Sequence, residues 1–172
     1  MKTLRKRRSS MAALKNSIIV ALIQNGLLRT TEHDVPVADA YKAFKFRTAV
    51  DKANREIDEK CQGLVKSVGI ENGQTFDARL QELRSAENPT EEQKQELAEM
   101  QKKLAKFKEL YVELMNDESE LEGVRSMPYA SFHALANENR ALIAPGGERP
   151  IDIFSIFATE LENVLWVAPE IS

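Results

Sequence analysis

The chain has 172 residues, room for one domain with a real core and cramped for two. Charged residues make up 30 % and aromatics 6 %, with seven Gly and six Pro, a balance that favours a mostly helical chain. A single cysteine, Cys61, excludes an intramolecular disulfide, and no apolar run reaches the roughly 20 residues that a membrane span requires.

The net charge of −3 conceals an asymmetry. Residues 1–15 hold Lys2, Arg5, Lys6, Arg7, Arg8 and Lys15 with no acid, so the remainder carries 18 basic against 27 acidic residues, a balance of −9. Residues 1–10 read as a basic N-terminal tail and residues 11–172 as a single helical domain. Lys2, Arg5, Lys6, Arg7 and Arg8 are candidate contacts to nucleic acid or an acidic partner, with salt-dependent affinity and no sequence readout.

A first helix is predicted from Ser9 or Ser10, either able to cap it, to about Asn25, with Met11, Leu14, Ile18 and Leu22 as its stripe. Gly26 is placed to end it in a left-handed conformation. The apolar run over residues 18–23 is shorter than the roughly 7–15 residues of a secretory core, so secretion is not expected. Pro36 opens a long helix to about residue 68, along which Ala43, Phe46, Val50, Ala53, Ile57, Cys61, Leu64 and Val68 step by three or four. Cys61 lies in that stripe and reads as a small core residue.

Residues 70–89 form a tip, with a turn signal at Asn72-Gly73 and a short amphipathic helix marked by Phe76, Leu80 and Leu83. Two overlapping capping boxes, Asn88 to Glu91 and Thr90 to Gln93, start the second long helix, residues 91–117. Its apolar residues Leu97, Met100, Leu104, Phe107, Tyr111 and Leu114 alternate by three and four, as in a coiled-coil seam. Glu99 and Lys103 form a helix-supporting pair worth about 0.3–0.5 kcal/mol. A seam of this kind needs cover, and residues 36–68 match it in length and period. The predicted fold is therefore mainly α: a long antiparallel, coiled-coil-like hairpin over residues 36–117, with short flanking helices and little or no strand.

Residues 118–124 alternate weakly and suit a short extended segment. Pro128 introduces a short helix bearing Tyr129, Phe132, Leu135 and Ala136. The Pro- and Gly-rich residues 145–150 are the strongest breaker. Beyond them an apolar helix over 150–167 is marked by Ile151, Phe154, Phe157, Leu161 and Leu165, ending at Trp166. Phe154, Phe157, Leu161 and Trp166 are the candidate partner-binding residues, because aromatic anchors are enriched at interfaces.

Chemistry is sparse. His33 and His133 lack a second ligand at metal spacing, the Pro145-Gly146-Gly147 stretch lacks a phosphate-binding Lys-Ser/Thr, and no carboxylate pair stands out as acid and base. The expectation is a protein that is not an enzyme, with no cofactor, metal or small-molecule substrate.

Several segments share an order: Pro36-Val37-Ala38-Asp39-Ala40-Tyr41 at the entry to a long charged helix, Glu113-Leu114-Met115-Asn116-Asp117-Glu118 at the end of a second, Met127-Pro128-Tyr129, and the close from Leu161 to Glu170. In this order the chain resembles a group of small helical proteins encoded in the virion-assembly gene blocks of tailed bacteriophages. The basic first ten residues and the loop at 145–150 depart from that scheme. The resemblance implies a virion structural or assembly protein, acting through helices on other phage structural proteins or on copies of itself. It implies residence in the host cytoplasm during assembly and then in the virion. The alternative is a nucleic-acid-binding accessory protein using residues 1–15.

Overall fold

The computed structural model describes residues 11–26, 35–143 and 158–168. In chain order these form β1 (Ala12–Lys15), α1 (Asn16–Gln24), α2 (Val37–Ser67), α3 (Gly73–Ser85), α4 (Glu91–Asn116), β2 (Glu118–Leu121), β3 (Met127–Pro128), α5 (Tyr129–Ile143) and β4 (Trp166–Val167). The protein is mainly α, with α2 and α4 as the arms of a hairpin and only short strands. The described residues divide into two compact units, one of the chain up to Asn54 with Glu118 onward, the other Arg55–Asp117. The stretch read from sequence as one domain over 11–172 thus contains both.

In the first unit the N-terminal half of α2 buries the predicted stripe: Ala43, Phe46, Val50 and Ala53 are all at most 4 % exposed. Ile19 and Leu22 of α1, and Phe132, Leu135 and Ala136 of α5, are buried with them. The predicted first helix is corrected at its start. Residues 12–15 are a strand, because β2 pairs with them antiparallel, Leu14 opposite Ser119 and Ala12 opposite Leu121. The helix begins at Asn16, which is fully buried and accepts a hydrogen bond from the Ser119 hydroxyl at 2.7 Å. It ends as expected, with Gly26 at φ 63°.

The predicted apolar helix over 150–167 is corrected at its end. Residues 158–161 are helical, after which Asn163 takes φ 65° and the Val164 and Leu165 amides both donate to the Leu161 carbonyl. An asparagine in the left-handed region is a helix stop, and the chain turns into β4, parallel to β3. The breaker at 145–150 and the residues through 157 lie outside the described residues.

In the second unit the helix ends follow local chemistry. The Asn72 side chain accepts from the Gln74 and Thr75 amides at 2.9 and 3.2 Å and so caps α3. Thr90 and Gln93 form the reciprocal capping box of α4, with bonds of 3.2 and 2.9 Å. Leu80 and Leu83 of α3 and Met100 of α4 form a buried cluster with Phe76, Leu97 and Leu104 half-covered around it. Arg79 of α3 grips Glu96 of α4 through two nitrogens at 2.9 and 2.6 Å. The predicted Glu99–Lys103 pair is replaced: the Lys103 ammonium donates to the Gly69 carbonyl at the end of α2, at 3.1 Å.

The seam is less buried than its regularity promised. Leu104 and Phe107 are half-buried and Tyr111 is exposed, as are Cys61 and Leu64 half-exposed on the α2 arm. Two helices alone cover only a narrow line between them, so side chains at the edge of each stripe keep one side in water.

Candidate functional site

Four segments of the first unit converge on an open groove of about 660 Å³. Met11, Ala12 and Ala13 come from the start of β1, Lys42 from α2, Val124, Arg125 and Ser126 from the turn between β2 and β3, and Asn163 and Val164 from the turn before β4. Among the described residues the lining contains two cations and no acid. Lys42 is held from behind, its ammonium 3.0 Å from one Asp39 oxygen, while the other accepts from the buried Ser131 hydroxyl at 2.7 Å. Burial alone would raise the Asp39 carboxyl, but the hydrogen bonds from Ser131 and Lys42 and the Lys42 charge outweigh it and leave the carboxyl below its usual value. Arg125 is exposed and has no hydrogen-bond or ion-pair partner among the described residues.

A second feature lies on the outer face of α2. Val37, Tyr41 and Phe44 are 86, 58 and 52 % exposed and stand at i, i+4 and i+7, on one side of the helix. The Lys45 ammonium lies 5.6 Å from the centre of the Tyr41 ring. Sequence reading followed the buried stripe of α2 and passed over this one. The signal was present: a second set of large apolar residues, offset from the first by two positions, on a single helix.

The residues singled out from sequence fare differently. Lys2, Arg5, Lys6, Arg7, Arg8, Phe154 and Phe157 lie outside the described residues, as does His33. Leu161 is fully buried, so its side chain packs its own fold and is corrected as a docking anchor. Trp166 is half-buried in an aromatic cluster, stacked on Phe132 with centroids 6.0 Å apart and edge-on to Tyr129 at 4.8 Å. Its indole N–H donates to the Ala158 carbonyl at 2.7 Å, which fixes the ring within the fold. Of this cluster Tyr129 is 41 % exposed and presents the surface. His133 is exposed, ring to ring with Tyr129 and beside the Asn137 amide.

Cys61 is half-buried, and burial, followed by the nearby Asp58 carboxylate, raises its thiol above the ordinary value. Both effects favour the protonated, unreactive form. Among the described residues no group of three or more His, Cys, Asp or Glu side chains is placed to hold a metal ion, and no helix is long and apolar enough to cross a membrane. Comparisons with known protein families, with characterised sequences and with solved structures find no match.

Proposed function

We propose that this chain is a non-enzymatic structural or assembly protein of a tailed-phage particle, working through helix-mediated contacts with a neighbouring subunit of the particle. The observation that carries the reading is the exposed apolar line of Val37, Tyr41 and Phe44 on α2. Large apolar side chains at i, i+4 and i+7 are the spacing by which one helix lies against another, and aromatic residues are preferred anchors of such contacts. The exposed Tyr111 and Val112 of α4 add a second apolar patch on the other unit. The resemblance of the segments 36–41, 113–118, 127–129 and 161–170 to the phage assembly group supports the same class.

The test combines purified full-length chain with head, neck and tail proteins of one phage, separately, by light scattering and pull-down. The expected result is a complex with one of them, or a self-associated species, that is lost in the Tyr41→Glu, Phe44→Glu double variant while the helical circular dichroism stays unchanged. A chain that remains monomeric and binds none of these proteins refutes the reading.

A further inference from the structure

Independently of the assembly reading, we propose that the groove between β1, α2 and the two turns binds phosphoryl oxygens, those of a nucleic-acid backbone or of free phosphate. Among the described residues, those that line it carry a guanidinium (Arg125), an ammonium (Lys42), a hydroxyl (Ser126) and a side-chain amide (Asn163), and none carries a carboxylate. Such a donor set exceeds what the two oxygens of a carboxylate engage and suits a tetrahedral oxyanion. Lys42 uses one ammonium hydrogen on Asp39 and keeps the other two, while Asp39 anchors it at the wall. Arg125 holds its whole fork of donors without a partner among the described residues. The two residues belong to elements far apart in sequence, so the concentration of donors is a product of the fold.

Charge continuity favours a nucleic-acid backbone as the source. Met11 lines the groove, and the ten residues that precede it in sequence carry Lys2, Arg5, Lys6, Arg7 and Arg8. The rest of the chain from residue 16 is acidic on balance, 18 basic against 27 acidic residues. The tail supplies a diffuse attraction that any phosphate chain feels, whereas the groove supplies fixed donors, and the two contributions are separable by mutation.

The experiment measures fluorescence anisotropy of a labelled single-stranded oligothymidylate with the full-length chain across a salt series. Arg125→Glu is expected to weaken binding about tenfold near 0.1 M salt and to lower the slope of log affinity against log salt by about one, the effect of one phosphate contact. Arg125→Lys restores most of the loss. A chain in which Lys2, Arg5, Lys6, Arg7 and Arg8 are all replaced by Ala binds more weakly, yet Arg125→Glu still adds its own loss. In a second arm, inorganic phosphate is titrated into the labelled chain and followed by the Ser126 and Asn163 amide resonances. Shifts at millimolar phosphate that Arg125→Glu abolishes assign the site to the free ion; binding of the oligonucleotide without such shifts assigns it to the backbone. Oligonucleotide affinity and phosphate response both unchanged by Arg125→Glu overturn the proposal, as does an oligoglutamate that competes as well as the nucleic acid.

Discussion

Ser131→Ala tests the polar contact that ties α5 to the start of α2. The Ser131 hydroxyl donates at 2.7 Å to Asp39, and both residues are buried, 7 and 6 % exposed. A hydrogen bond to an ionised group contributes about 1.5–3 kcal/mol. Alanine regains about 0.5 kcal/mol as the better helix former, so the net loss near neutral pH is about 1–2.5 kcal/mol. Lys42 keeps its own bond to Asp39 and prevents a larger loss. The pH dependence follows from the lowered carboxyl of Asp39. A carboxyl whose folded pKa lies below its unfolded value adds stability above that unfolded value, about 3.9, and loses it as pH falls through the folded one. Removing the Ser131 donor raises the folded pKa. The gap between wild type and variant is therefore widest above about pH 5 and narrows below about pH 4, where a neutral carboxyl no longer needs the donor. Urea unfolding followed by circular dichroism between pH 7 and pH 3 measures it. Equal midpoints at neutral pH, or a gap that stays constant down to pH 3, would refute the assignment.

Two further substitutions separate full burial from half burial and test the helix end. Ile57→Ala, at a site 1 % exposed, should cost about 2–5 kcal/mol, while Leu104→Ala, at a half-buried site, should cost about 1–2 kcal/mol. Leu104→Lys should behave much like Leu104→Ala, because a lysine at a half-open site carries its ammonium out to water; a loss as large as that of Ile57→Ala, read by thermal melting, would show that the seam is closed. Gly69 sits at φ 75° where an added Cβ meets only the Lys103 side chain at 3.5 Å. Gly69→Ala should thus cost about 1–2 kcal/mol from backbone strain alone, with the helical signal intact. An unchanged melting temperature would mean that α2 can end in another way.

Much of the hairpin was legible because its signals are local. The step of three and four along α2 and α4, the turn signal at Asn72-Gly73, the Thr90–Gln93 box and the left-handed Gly26 each involve residues a turn or less apart. The Glu118–Leu121 strand was also visible from its alternation. Its partner was not. Residues 12–15 carry a stripe that continues smoothly into α1, and only pairing with a segment more than a hundred positions away turns them into β1. The Asn163 stop was missed for a different reason: an asparagine is tolerated inside a helix, and its left-handed turn is decided when the chain must reach β3.

The candidate site divides in the same way. The sequence by itself determined which elements are helices and where most of them begin and end. Only the tertiary structure decided that Ala43, Phe46 and Val50 are covered while Val37, Tyr41 and Phe44 face water, and that Arg125 and Lys42 line one groove. Helical period and capping depend on neighbours along the chain, where the sequence is explicit. Burial and convergence depend on neighbours across space, and those exist only once β1 has found β2 and the turn at Asn163 has brought Val164 to the groove that Met11, Ala12 and Ala13 line.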